Sequence, residues 1–271
     1  MDNIKQLLKN NKFLPSKKMG QNFLSNPIVI DEICEKIPSL NPYDCILEIG
    51  PGLGAITEYL VSTNKNLICV ELDKRLFHHL KEKFNKHQNL TLVNNDFLEM
   101  DVDKTLSDYK NVIVIANIPY SITTPIILKC LSCNKIQTLY IMVQKEVANK
   151  WIYSKTGNRN ASTNIINFYY NMCKVMDIKN TSFVPAPKVD SSMVLLNRKN
   201  NSKYDPNFYK FIKQFFLSRR KKLLNNLPKS INKDDVIKYL VKFGYDQNVR
   251  PEILNYNQWL EMYKAFSKHE N

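Results

Sequence analysis

The stretch "CILEIGPGLGA", residues 45–55, decides the fold. Five residues, four of them apolar, read as a buried strand and run directly into Gly50, Gly52 and Gly54, three of only six glycines in the chain. Glycine suits a backbone that must turn sharply and let a ligand approach with no Cβ in the way. A strand, a glycine loop and a helix start make up the first unit of a doubly wound α/β sheet, with a nucleotide-like ligand at the strand ends.

Working outward, short aliphatic runs recur as "LICVEL" (67–72), "LTLVNN" (90–95), "VIVIA" (112–116) and "TLYIMVQ" (138–144). Between them, Ala55 to Ser62, Lys74 to Asn85 and Thr124 to Leu131 have helical period and the length of crossover helices. This βαβ repetition predicts a parallel sheet covered on both faces, with its ligand at the carboxyl ends of the strands. Beyond Asn197 the strand signal stops. Phe208, Phe211, Ile212, Phe215 and Phe216, then Val236, Ile237, Leu240 and Val241, repeat at three and four, which predicts a small helical domain. The expected division is a basic segment over 1–27, a Rossmann-like body over 28–198 and a helical domain over 199–271, joined at "NRKNNSKYDP" (197–206). The asparagine-rich stretches read as loops.

The net charge of +14 is unevenly spread. Residues 1–27 carry five Lys and one acid, residues 28–196 carry 18 basic and 17 acidic groups, and residues 197–271 carry 16 and seven. A neutral middle with basic ends points to a polyanion, most simply nucleic acid. The six cysteines lie mostly in apolar segments and "MDNIKQLLKNNKFL" has no apolar signal core, so reduced thiols in a cytoplasm are expected. Cys130 and Cys133 form a CxxC without a second pair or spaced histidines, so no metal is expected. The 18 uncharged residues Asn111 to Leu128 reach the length of a short membrane span. Pro119, Pro125, Asn111 and Asn117 interrupt them, which favours strand, turn and helix over a span.

Gly50, Gly52 and Ala55 also satisfy a dinucleotide fingerprint, so the glycine loop alone does not separate NAD from S-adenosylmethionine. Glu71 ends the second strand 19 residues after Gly52, where a carboxylate can accept both ribose hydroxyls. Asp96 ends the third strand, suited to the exocyclic amine of an adenine, and Phe97 can pack on the ring. Either carboxylate could instead cap a helix. With no basic residue near the glycine loop to meet a pyrophosphate, S-adenosylmethionine fits better than NAD.

"NIPY" (117–120) ends the "VIVIA" strand. An adenine or amide nitrogen is a poor nucleophile because its lone pair is delocalised. Acceptors on its two hydrogens stabilise the charge that develops as it attacks a methyl group. The side-chain oxygen of Asn117 and the carbonyl of Ile118 can serve, Pro119 fixes the turn, and Tyr120 can stack on a base. No strong general base is needed.

"KKMGQNFL" (17–24), "EIGPGLGAIT" (48–57), "NIPY", "VQKEVANKW" (143–151), "FVPAPKVDSSMV" (183–194), "FLSRRKKLLNNL" (216–227) and "VRPEILN" (249–255) occur in that order. Together they resemble the small-subunit ribosomal RNA adenine dimethyltransferases of the KsgA type, over nearly the whole chain. The resemblance implies a class I S-adenosylmethionine-dependent methyltransferase with a mostly parallel seven-stranded sheet and a small C-terminal helical domain. It implies dimethylation of two adjacent adenosines in the 3′-terminal hairpin of small-subunit rRNA, with an assembling 30S-type subunit as partner and a role in its biogenesis. Carried over by position, it places Asn22, Leu24, Gly50, Glu71, Asp96 and Asn117 at the cofactor, and sets Phe183 against the target adenine opposite Tyr120. "GNRNAST" (157–163) departs from the family's usual aromatic and glycine before a serine, which affects loop shape rather than chemistry.

"SRRKKLLNNL" is expected to put Arg219, Arg220, Lys221 and Lys222 on one helix, part of the set meeting phosphates, with Lys17, Lys18 and Arg250 extending the surface. Three rival readings are a macrolide-resistance type of large-subunit rRNA methyltransferase, an assembly factor whose RNA binding outweighs catalysis, and an NAD-dependent enzyme. The C-terminal motifs oppose the first. Intact Glu71, Asp96 and Asn117 argue for retained chemistry against the second, and "NIPY" has no purpose in the third. Nothing marks a dimer seam, so a monomer is expected.

Overall fold

The computed structural model describes residues 8, 13–16, 19–40, 42–153, 160–199, 203–218 and 221–267. Strand β1 (Phe23–Leu24) and helix α1 (Pro27–Lys36) lead into an alternating series: β2 (Cys45–Ile49), α2 (Thr57–Leu60), β3 (Asn66–Glu71), α3 (Lys74–Lys83), β4 (Leu90–Asn94), α4 (Val102–Thr105) and β5 (Val112–Ala116). After α5 (Thr123–Ser132) come β6 (Ile136–Gln144), α6 (Lys145–Tyr153), α7 (Ala161–Tyr169), β7 (Tyr170–Ile178), β8 (Phe183–Val184) and β9 (Ser191–Arg198). Helices α8 (Pro206–Gln214), α9 (Lys233–Lys242) and α10 (Tyr256–Phe266) follow.

Seven strands form one sheet in the order β4-β3-β2-β5-β6-β9-β7. β2, β3, β4, β5 and β6 pair in parallel, and β9 runs antiparallel to β6. This is the Rossmann-like α/β architecture of class I methyltransferases. Every residue of β2 and β5 is buried, as runs that are apolar apart from Glu48 demand for strands covered on both faces. From β2 the chain builds outward through β3 and β4, then returns to lay β5 on the other side of β2. That reversal is the topological switch point, where a crevice opens beyond the strand ends. Ile49 and Ala116 are paired there, so Gly50 and Asn117 leave the sheet side by side.

The asparagines do more than fill loops. Asn26, Asn160, Asn232 and Asn255 each cap a helix by accepting a main-chain N–H, and Asn255 forms a full capping box with Gln258. The first crossover helix is shorter than the expected Ala55 to Ser62. Residues 53–56 are turn, α2 covers Thr57–Leu60, and Val61–Thr63 tightens to a 3-10 turn.

The chain divides into two compact units, Met1–Ala148 with Asn171–Asn201, and Asn149–Tyr170 with Ser202–Asn271. Residues 149–170 therefore group with the helical unit rather than with a 28–198 body. Aromatic packing explains the regrouping: the Phe168 ring stacks on Tyr256 at 3.5 Å, and Phe208 meets Tyr256 edge-on at 5.1 Å. Trp259 and Phe215 are fully buried at the centre of this unit. The segment 19–27 likewise belongs to the sheet unit, because β1 pairs with β8.

The described part of the expected basic helix is not helical: α8 ends at Gln214, residues 215–218 are turn and bend, and the next regular element among the described residues is a 3-10 turn over Leu223–Asn226. The Leu223 N–H donates to the carbonyl of distant Val249 at 2.8 Å, so it cannot join a helical ladder. Lys221 and Lys222 are exposed beside this turn, while Lys17, Lys18, Arg219, Arg220 and residues 157–159 of the 157–163 loop lie outside the described residues. Among the described residues no helix is long and apolar enough to cross a membrane, and no cluster of three or more His, Cys, Asp or Glu could hold a metal.

Candidate active site

The switch point holds a cavity of about 610 Å³. Gly50, Gly52 and Gly54 all have left-handed φ values, +67°, +63° and +80°, which carry the chain from β2 round to α2. A Cβ at Gly52 would press on the Phe23 ring at 3.3 Å, and one at Gly54 would collide with Phe84 at 2.8 Å. The loop is anchored by the Gly50 N–H, which donates to Val70 at 2.9 Å.

Glu71 is buried and already partly engaged: Oε2 accepts from the Gly52 N–H at 3.1 Å and Oε1 from the Asp73 N–H at 2.9 Å. A carboxylate has about four acceptor sites, so two remain for ribose hydroxyls. Burial raises its pKa, and the two N–H donors work against that rise. At Asp96, Oδ1 accepts the Leu98 N–H at 2.8 Å, so the residue caps the following turn while also lining the cavity. Asp73 is held at about 2, mainly by its hydrogen bonds to the Arg75 guanidinium.

The sequence reading passed over two residues. Glu48, within the buried strand β2, lines the cavity and accepts from Thr57 Oγ1 at 2.7 Å and Cys69 Sγ at 3.3 Å. Burial pushes its carboxyl up to about 7. Its place in the quoted glycine motif was visible, but a lone acid in an aliphatic strand carries no sign of what covers it. Gln21 accepts the Ser16 N–H at 2.8 Å and donates to Asp73 at 3.2 Å, fastening the N-terminal strap to the end of β3. The "QNF" that the motif quotes thus has a local anchor.

All expected cofactor residues, Asn22, Leu24, Gly50, Gly52, Glu71, Asp96, Phe97 and Asn117, line this one cavity, as do Ile118, Pro119 and Tyr120. Gly20 approaches Pro119 so closely that a Cβ there would lie 3.2 Å from the proline, which backs the "NIPY" turn with the strap. Phe183 is the exception. It is 3% exposed, packs in the core with Leu24, Ile30 and Ile33, and does not line the cavity. β8 pairs Phe183 with Leu24, and the ring is enclosed rather than turned to a base. Of the expected RNA contacts in the described residues, Lys222 donates to Asn248 Oδ1, and Arg250 is 3.9 Å from Glu252.

The fit to a sulfonium nucleoside can be tested on these residues. The cradle admits backbone but no Cβ, and the cavity lining combines three carboxylates with apolar walls and, among the described residues, includes no Lys, Arg or His. A pyrophosphate would find no cation among them, whereas an adenosine carrying a positive sulfonium finds hydroxyl acceptors and negative charge. Fold and site together define a class I S-adenosylmethionine-dependent methyltransferase.

A family model described as "Ribosomal RNA adenine dimethylase" matches residues 12–268. The chain belongs to that family and is an rRNA adenine dimethyltransferase. It is 38% identical to the "Ribosomal RNA small subunit methyltransferase A" of Ureaplasma urealyticum over 99% of this chain and 98% of that one. The protein of the same name from Fusobacterium nucleatum is also 38% identical, over 94% and 98%. A dimethyladenosine transferase from Plasmodium falciparum shares the fold, with a TM-score of 0.71 at 24% identity over 91% and 98%. The 23S rRNA methyltransferase ErmE superposes with a TM-score of 0.61 at 26% identity over 91% and 100%.

Proposed function

We propose that this enzyme dimethylates the exocyclic amines of two adjacent adenosines in the 3′-terminal hairpin of small-subunit rRNA, acting as a cytoplasmic monomer on an assembling subunit. The observation that carries this reading is the meeting of the glycine loop and Asn117–Tyr120 on one cavity wall, in a chain matched end to end by small-subunit methyltransferases. The match to ErmE is weaker in identity, which favours the small-subunit target over the large-subunit one. Six free thiols accord with a reducing compartment.

S-adenosylmethionine, held by the Gly50 loop, Glu71 and Asp96, supplies an electrophilic sulfonium methyl. Asn117 and Ile118 accept the hydrogens of the target amine and stabilise charge developing on its nitrogen. Tyr120 packs on the base. Lys221, Lys222 and Arg250 meet phosphates and add affinity without reading sequence.

The test supplies labelled S-adenosylmethionine with undermethylated small or large subunits and maps the modified base. Label in the small-subunit hairpin is expected; label confined to large-subunit RNA overturns the assignment. Asn117→Ala is expected to cut methyl transfer by about 100-fold or more. Transfer at the parent rate would refute the role of the amide.

A further inference from the structure

The Tyr120 hydroxyl and the Ser191 Oγ are 2.6 Å apart and share a hydrogen bond across residues remote in sequence. We propose that Ser191 is the positioning residue that orients Tyr120 for stacking on the target base. This rests on the reading above that Tyr120 holds that base.

Three observations support the role. Ser191 is fully buried, so its hydroxyl is sheltered from water and finds its partner in the phenol. Its main chain is firmly held: it opens β9 opposite Gln144, and the neighbouring Asp190 carbonyl accepts the Lys145 N–H at 3.0 Å. Asp190 is itself tied through Oδ1 to the Asn180 N–H at 3.0 Å and through Oδ2 to Lys179 at 3.2 Å. By contrast Tyr120 stands in a single 3-10 turn, Tyr120–Ile122, only half-buried on the cavity rim. A side chain on so short a turn has rotamers to choose from, and a bond to a fixed hydroxyl selects one.

Phenol and serine lie in different motifs of the sequence, "NIPY" and the proline loop, and this bond joins them. A phenol is the stronger acid of the two, so Tyr120 is the natural donor. Loss of the bond should leave the ring present but free to swing, which lowers turnover more than cofactor affinity.

The experiment compares Tyr120→Phe, Ser191→Ala and the double variant in the full-length protein, after circular dichroism confirms folding. Single-turnover methyl transfer to undermethylated small subunits is expected to slow about 5- to 10-fold in each single variant, the worth of one hydrogen bond. The double variant should be no slower than either single, because all three lack the same bond. Affinity for S-adenosylmethionine should change less than about twofold. Additive losses, or a Ser191→Ala variant at the parent rate, overturn the proposal. A second arm is independent of the RNA target: quenching of 2-aminopurine riboside fluorescence on stacking should be strong in the parent and weaker in Ser191→Ala. If the parent fails on small subunits but this difference persists, the RNA assignment falls and the tether stands. Equal quenching in both proteins removes the tether. Should Ser191→Ala not fold, Tyr120→Phe is read in both arms, and parent-like values in it overturn the proposal.

Discussion

The Gly52 N–H donates to Glu71 Oε2 at 3.1 Å, so the residue that lets the loop approach a ligand is braced by the residue that would grip that ligand's ribose. The second oxygen of Glu71 braces the start of α3 through the Asp73 N–H. One buried carboxylate thus organises two strand ends. Replacing it with glutamine keeps the shape but presents an NH2 where an N–H needs an acceptor. Glu71→Gln is expected to weaken S-adenosylmethionine binding about 10- to 100-fold, measured by titration calorimetry. An unchanged affinity would show that the loop shapes itself without the carboxylate.

Glu48 predicts a pH dependence of stability. Its carboxyl has an ordinary value of 4.5 and is raised by burial to about 7. Below the lower value both folded and unfolded chains are protonated there, and the group has no effect. As pH rises from 4.5 to 7 the unfolded chain loses the proton while the folded one keeps it, so stability falls across that window and levels off above it. Glu48→Gln removes this loss and should be more stable than the parent at pH 8, by up to about 3 kcal/mol, with little difference near pH 4.5. Thermal unfolding at several pH values checks it. A difference that does not vary with pH would mean that the carboxyl titrates elsewhere.

Gly54 and Gly244 separate backbone strain from collision. Both have φ near +80°, but a Cβ at Gly54 lies 2.8 Å from Phe84 while one at Gly244 meets nothing within 4 Å. Gly244→Ala should cost about 1 kcal/mol, the left-handed penalty alone, and Gly54→Ala about 2–4 kcal/mol because it also displaces core atoms. Chemical denaturation reads both. Equal losses would indicate that the Phe84 ring moves aside freely.

Charge reversal of the exposed pair Lys221 and Lys222 should weaken binding to small subunits and flatten its salt dependence, with cofactor affinity unchanged. Binding measured at two or three salt concentrations separates the two effects. A parallel loss of cofactor affinity would place these lysines in the fold of the site instead of on an RNA surface.

Much of the site was legible because it lies where a local pattern changes abruptly. β2 and β5 match their expected limits to the residue, since each is a short run, apolar apart from Glu48, that stops at glycine or at Asn-Ile-Pro. Glu71 and Asp96 were findable as acids directly after such runs, and both reach the cavity. β7 was missed because only its end residues Tyr170 and Ile178 are buried and its middle includes Lys174 and Asp177, which leaves no aliphatic run to see.

By itself the sequence determined the alternating α/β order, the glycine cradle and the "NIPY" turn, because burial on both faces and left-handed turns leave marks on neighbouring residues. Only the tertiary structure decided which strand lies beside β2, which side of Phe183 is covered, and that residues 149–170 join the helical unit. It alone put Glu48 against Thr57 and Tyr120 against Ser191. The reason is physical: periodicity tells whether a side chain is buried, whereas the partner that covers it comes from elsewhere in the chain and is chosen by the packing of the whole unit.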